Sequence, residues 1–359
     1  MEEGTWIKIT SLLAINFTAL FGNILLLMIG MRNKSLRSFQ NAFIFNMAFA
    51  DFLQAVFIMP TASINLFKHK WDFSKISCDI FAILKVVFTL VSVYSLAGIS
   101  LQRYFFVVKR KVKVNNFRIV LIGVAVIWGT SFLLSITPLF NWGVFGFEDG
   151  KEVCTVQFHL TPSHTLVVFT TGLLFNVFVM LFCYVMIYKT LICSKRKLSI
   201  AKDNSCTTEA VQSVIINVRP LDKSGDLPPF FTTRNDPLIR DANSRARNNV
   251  PISSNLTANQ SKVIASVRKE HKSISSLTKK ELRLLKTIAV VIAVFLCCWT
   301  PYTILNLLRA FKMVGNLNSM DTLTMWLGFA NSAFNPVIYG VLNNQFKKAI
   351  KEILCCFAS

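Results

Sequence analysis

The sequence predicts an all-α membrane protein: a seven-transmembrane helix bundle with a short amphipathic eighth helix. Three observations carry this. The 359-residue chain is 53% hydrophobic and only 16% charged, with 32 phenylalanines and a mean hydropathy of +0.50; a soluble protein of this length needs more polar surface. Seven apolar runs each reach the roughly 20 residues needed to cross a bilayer. Basic residues gather in alternate connections between those runs, the asymmetry that sets membrane orientation.

The runs lie at about 7–31, 41–66, 76–108, 118–141, 164–192, 282–311 and 320–341. The first lacks the basic leader and small-residue cleavage site of a removed signal peptide and is expected to be retained. Arg32, Lys34 and Arg37 follow it, Lys109, Arg110, Lys111 and Lys113 follow the third, and Lys195, Arg196 and Lys197 follow the fifth. Lys347, Lys348 and Lys351 follow the seventh, while the other connections carry fewer, with a cluster at Lys68, Lys70 and Lys75. The excess places those ends in the cytoplasm, the N-terminus outside and the C-terminus inside. Residues 194–279 form a long polar loop rich in Ser, Asn, Lys and Arg, expected to be disordered. Its sequons at Asn255 and Asn259 then face the cytoplasm and are read as chance matches. Residues 343–359 form an amphipathic segment and tail, the stretch Asn343–Leu354 ending at Cys355-Cys356.

Several function classes recede at once. The net charge of +21 does not indicate nucleic acid, because the basic residues are confined to a few segments of an apolar chain. The nine cysteines show no metal-ligand spacing. His69, His159, His164 and His271 fall in loops or at a span end and form no nucleophile or metalloprotease pattern, so no enzymatic activity is expected. A seven-span transporter is the main alternative, but it favours paired inverted repeats and interrupted helices at matching places, which the sequence lacks.

Polar residues inside a span carry the functional information, because a charge at the bilayer centre costs about 2.5–3.5 kcal/mol on insertion scales. Asn23 lies in the first run, Asp51 in the second, Lys85 and Ser92 in the third, and Asn331, Ser332 and Asn335 in the seventh. Asp51 must be protonated, paired or bound to a cation. The stretch "FANSAFNPVIYG", Phe329 to Gly340, adds Pro336, which removes a backbone donor from the helix at about 3 kcal/mol.

In order along the chain stand Gly22-Asn23, "MAFAD" ending at Asp51, Cys78, "LQRY" (Leu101 to Tyr104), Trp128, "CWTP" (Cys298 to Pro301) and "NPVIY" (Asn335 to Tyr339). Together these resemble the class A, or rhodopsin-like, G-protein-coupled receptors across all seven spans. "RNKSLRS", "CWTPY" and "YGVLNNQFKKA" are most similar to the melatonin, amine and opsin branch. The resemblance implies a receptor in the plasma membrane that binds an extracellular small ligand within the bundle and activates a heterotrimeric G protein, with arrestin as a further partner. It implies that Asn331, Ser332 and Asn335 face Asp51, Ser92 and Asn23, where water and an allosteric sodium ion satisfy the polar groups, and that Pro336 loosens the helix into a switch. It implies an ion pair from Arg103 to Glu281, coupling roles for Tyr104, Tyr184 and Tyr339, a Cys78–Cys154 disulfide, and lipidation of Cys355 and Cys356.

The departures from the pattern matter as much. Gln102 stands where the family usually has Asp before the Arg, which predicts raised basal signalling. Asn176 and Arg110 each replace a usual proline. Lys85, seven residues after Cys78, occupies the position where amine receptors hold an Asp, and a lysine there would repel an ammonium. Phe329, seven before Pro336, replaces the Schiff-base lysine of an opsin. Lys85 therefore meets either a ligand carboxylate or phosphate, or one of the loop acids Glu148, Asp149 and Glu152. Trp299 and Tyr302 are expected to floor and wall the ligand cavity, with Phe329 beside them.

Overall fold

A computed structural model describes residues 3–33, 36, 41–68, 70–109, 117–194, 196, 285–315 and 318–358. The chain forms helices α1 (Glu3–Arg32), α2 (Ala42–Lys68) and α3 (Lys75–Val107), then α4 (Phe117–Ser135). After a two-stranded hairpin come α5 (Pro162–Ser194) and α6 (Leu285–Ala310), α7 (Asn318–Leu342) and α8 (Asn344–Ala358). Helices α1 to α6 are each long and apolar enough to cross a membrane. Helix α7 falls short on hydropathy because its inner face buries Asp321, Asn331, Ser332 and Asn335.

Three helices begin or bend for a local reason. Ser74 starts α3 as its N-cap, its hydroxyl accepting from the Ser77 amide at 3.2 Å, which satisfies one of the four donors a helix start leaves open. In α2 the turn Gln54–Ile58 widens to π geometry just ahead of Pro60. A proline ring clashes with the carbonyl four residues back, and the wide turn instead lets the Met59 amide reach the Gln54 carbonyl. In α5 the turn Thr170–Leu174 is likewise π-helical, but no proline causes it. Asn176 occupies the expected proline position, and its amide donates to the carbonyls of Thr171 and Gly172, both at 2.9 Å. The side chain thus satisfies acceptors that the distorted turn leaves open.

Helix α3 is the most enclosed of the six and α4 the most peripheral. A polar bridge crosses the lower bundle: Trp128 Nε1 donates to Asn46 Oδ1 at 2.9 Å, and Asn46 Nδ2 to Ser95 Oγ at 2.9 Å. It ties α4, α2 and α3 together with every group paired. The sequence marked Trp128 but not Asn46, whose role depends on two partners distant along the chain.

One expected boundary needs correction. The fourth span was expected to run to residue 141, but α4 ends at Ser135 and a 3₁₀ turn, Thr137–Phe140, follows. Pro138 lies within that turn and disfavours helix in the residue before it. The fold also contains strand: β1 (Phe145–Glu148) pairs antiparallel with β2 (Val153–Val156). Their turn carries Glu152 at φ 54. The Cys78–Cys154 disulfide, Cα–Cα 5.3 Å, pins β2 to the start of α3.

Candidate functional site

The first cluster lies around Asp51, which is fully buried. Ser332 Oγ donates to Asp51 Oδ1 at 2.8 Å and Asn335 Nδ2 to Oδ2 at 2.9 Å. Ser92, also buried, lies beside the carboxylate, its hydroxyl short of a complete hydrogen bond. Asn23 does not reach Asp51; its amide donates to the carbonyls of Ala19 and Ser332 at 2.7 and 3.0 Å, leaving Oδ1 buried and unpartnered. Asn331 is buried on the same helix face. The cluster sits where α1 meets the Pro336 ring, since a Cβ on Gly22 would lie 2.5 Å from Pro336 Cγ. This explains how α7 tolerates an asparagine and a proline together: α2 receives the amide and α1 covers the ring. The Asp51 carboxylate and the Ser92 hydroxyl beside it are oxygen donors, the kind that hard cations take.

The second feature is a cavity between α3, α5, α6 and β2, lined by Lys85, Thr155, Phe169, Phe295, Trp299 and Tyr302 among others, with about 540 Å³ of empty space including its open mouth. Lys85 is 4% exposed. Its ammonium donates to Thr155 Oγ1 at 2.9 Å and lies 5.7 Å from the centre of the Tyr302 ring. Among the described residues it makes no ion pair. Of the loop acids, Glu148 makes its contact ion pair with Lys151 and acts on Lys85 only through space. Among the described residues no loop acid makes a contact ion pair with Lys85. Trp299 and Tyr302 both line the cavity as expected, meeting edge to face at 5.8 Å. Phe329 does not; it is packed into the core. A Cβ on Gly328 would lie 3.4 Å from the Trp299 ring, so α7 closes on α6 there and the cavity stops at the Trp299 and Tyr302 rings.

Sequence reasoning missed Lys151. It reads as an ordinary turn charge in "FEDGKEVC", yet it is 3% exposed, donates to Asn306 Oδ1 at 2.8 Å and lies 5.1 Å from the centre of the Tyr302 ring. Burial opposes its charge, but Tyr302, Glu148 and Asp321 outweigh that and hold its pKa above the ordinary lysine value. Around it the turn is docked at several points: Thr322 Oγ1 donates to the Gly150 carbonyl at 2.8 Å, and Asn65 Nδ2 to the Glu152 carbonyl at 3.0 Å. Asp321 is held by Arg309.

At the opposite end, Arg103 and Gln102 are buried at the close of α3. Tyr339 on α7 lies within electrostatic range of Arg103 and packs on Phe346 of α8. Tyr104 meets Phe182, and Tyr184 stacks on Tyr188, ring centres 5.7 and 6.3 Å apart. Glu281, Arg110 and most of 194–279 lie outside the described residues, as do the side chains of Cys355 and Cys356.

With this geometry in hand, the relatives are informative. The chain is 28% identical to the D(2) dopamine receptor A of Xenopus laevis, across 95% of this chain and 91% of that one. It is 25% identical to octopamine receptor beta-2R of Chilo suppressalis, across 96% and 78%. It is 26% identical to the GQ-coupled rhodopsin of Mizuhopecten yessoensis, of which it spans 60%. The crystal structure of squid rhodopsin superimposes with a TM-score of 0.72 at 21% identity, covering 99% of this chain and 86% of that one, which supports the fold. Residues 22–339 match the family described as 7 transmembrane receptor (rhodopsin family), so the chain belongs to that family and is a multi-pass G-protein-coupled receptor rather than a transporter.

Proposed function

We propose that this receptor takes a small anionic ligand into the cavity between α3, α5, α6 and the hairpin, and relays its binding to a heterotrimeric G protein at the far end of the bundle. The observation that carries this reading is Lys85: a buried ammonium with a threonine hydroxyl as its hydrogen-bond partner and no ion pair among the described residues. Burying a charge is costly unless something compensates it, and a ligand carboxylate or phosphate would do so. The amines named in several relatives do not transfer, because two cations at this spacing repel.

In this reading the hairpin end faces outward from the plasma membrane, where an oxidising environment supports the Cys78–Cys154 disulfide. The Asp51, Ser92, Asn331, Ser332 and Asn335 cluster would hold a sodium ion, which supplies the positive charge that the buried carboxylate lacks. Arg103, Gln102, Tyr104, Tyr184 and Tyr339, with Glu281, form the coupling end, which also serves arrestin. Pro336 is the point at which α7 changes shape. Helix α8 lies on the lipid surface, anchored by acylation of Cys355 and Cys356.

The test is a panel of anionic, neutral and cationic small molecules applied to cells expressing wild type or Lys85→Ala, with G-protein activation and solute flux both recorded. An anion that activates wild type and loses at least tenfold in potency on Lys85→Ala supports the proposal. Activation by neutral or cationic members with unchanged potency on the variant defeats it.

A further inference from the structure

The geometry points to a seat for one negative charge shared by two lysines. We infer that Lys85 from α3 and Lys151 from the hairpin together hold the carboxylate of a ligand whose remaining body is apolar. This deepens the anionic-ligand reading and rests on it.

Two cations converge on one ring. Lys85 Nζ lies 5.7 Å and Lys151 Nζ 5.1 Å from the centre of Tyr302, and both side chains are buried. The nearby acids do not balance them. Glu148 pairs with Lys151, and Asp321 is taken by Arg309. Asp149 is exposed, and Glu152 takes its electrostatic partner from Lys8. Two lysine amines therefore face the Tyr302 ring with one carboxylate, that of Glu148, beside them, an arrangement that an incoming anion completes. The Tyr302 hydroxyl is buried there beside Thr155, short of a complete hydrogen bond.

A ligand oxygen would complete the bonding of that hydroxyl at the same moment that it meets the lysines. Below this head the walls are Val86, Leu90, Phe169, Leu173 and Phe295, which offer no further charge. The complement of such a site is a small monocarboxylate with an aryl or alkyl body. A dicarboxylate would bring one charge too many, and an amine the wrong sign.

The experiment uses the full-length receptor in lipid nanodiscs with three matched probe sets: 3-phenylpropanoate and indole-3-propanoate, their primary amides, and the corresponding amines. Thermal unfolding reports binding, and nucleotide exchange on added G protein reports coupling. The carboxylates should raise the unfolding midpoint at concentrations at least tenfold below any amide or amine. Lys85→Gln and Lys151→Gln should each weaken that effect at least tenfold, while Lys85→Arg and Lys151→Arg retain most of it, which separates lost charge from a damaged fold. Glu148→Gln, by removing the carboxylate beside Lys151, should tighten the monocarboxylates. Amides that equal the acids, an unaltered response in Lys151→Gln, or no carboxylate effect on wild type would each overturn the two-lysine seat. Carboxylate binding that depends on both lysines but never alters nucleotide exchange would uphold the seat and defeat the proposed relay.

Discussion

The Cβ position of Gly22 on α1 lies 2.5 Å from Cγ of Pro336 on α7. No side chain fits between them, so glycine is required by proximity alone. The next residue, Asn23, reaches the Ser332 carbonyl at 3.0 Å, so the glycine contact also sets the distance over which that bond forms. Gly22→Ala should force the helices apart, at the roughly 1–3 kcal/mol typical of overpacking, and lower the thermal unfolding midpoint by several degrees. Pro336→Ala in the same background should recover part of the loss, because it removes the ring that the new methyl meets. A double mutant no more stable than Gly22→Ala would show that the contact is not the cause.

Asn335 supplies one of the two hydrogen bonds to Asp51. Asn335→Ala leaves a buried carboxylate oxygen without its donor, a loss of about 1–3 kcal/mol, and should destabilise the receptor measurably. Asp51→Asn keeps a similar shape but removes the charge a sodium ion would need. Replacing sodium with N-methylglucamine should raise basal nucleotide exchange in wild type and leave Asp51→Asn unmoved. Equal sodium responses in the two would rule out Asp51 as the ion's ligand.

How far these features can be read from the chain depends on how local their causes are. Asp51, Asn335 and Ser332 stand out because polar groups in apolar runs are expensive wherever they lie, and the structure brings those three into contact. The wide turn in α2 has Pro60 beside it as a local sign. Lys151 gives no such sign: its burial requires the disulfide to draw the turn over α6 and α7, a condition set by residues 78, 154, 306 and 322. The same hairpin accounts for Lys85 bonding to Thr155 rather than to a loop acid, which spacing alone leaves open. Phe329 lies in the core and not in the cavity, because α7 closes on α6 where Gly328 meets the Trp299 ring.

Glu152 gives the hairpin a dependence on pH. Burial, reinforced by the neighbouring Asp149 and opposed by Lys8, pushes its carboxyl up to about 7 from an ordinary value near 4.5. The folded state thus holds a proton that the unfolded state releases at lower pH. Stability from this group is present in acid and declines as pH rises from about 4.5 to about 7, with little change beyond. The unfolding midpoint of wild type should fall across that window more than that of Glu152→Gln. Parallel pH profiles for the two proteins would exclude Glu152 as the source.

Asn176 should be important to the shape of α5. Its amide serves two carbonyls at the π turn, so Asn176→Ala leaves both to find other partners and should lower the unfolding midpoint. Asn176→Pro cannot donate at all, yet its ring would stabilise a bend by excluding a straight helix. The two variants should therefore differ: alanine destabilises and alters coupling, and proline preserves coupling more fully. Identical behaviour would mean that the side-chain amide does not hold the turn.

Gln102 is buried next to Arg103 at the end of α3. A neutral amide there adds no charge of its own beside the guanidinium, whereas a carboxylate would add an attraction at short range in a medium where such pairs are strong. An arginine held by its neighbour is less available to a G protein. Gln102→Asp should accordingly reduce nucleotide exchange in the absence of ligand, by a factor of about 10 for each 1.4 kcal/mol by which the pair favours the resting arrangement, while Gln102→Asn should not. The measurement is basal exchange at matched receptor density. An aspartate variant with the same basal rate as wild type would place control of Arg103 elsewhere in the bundle.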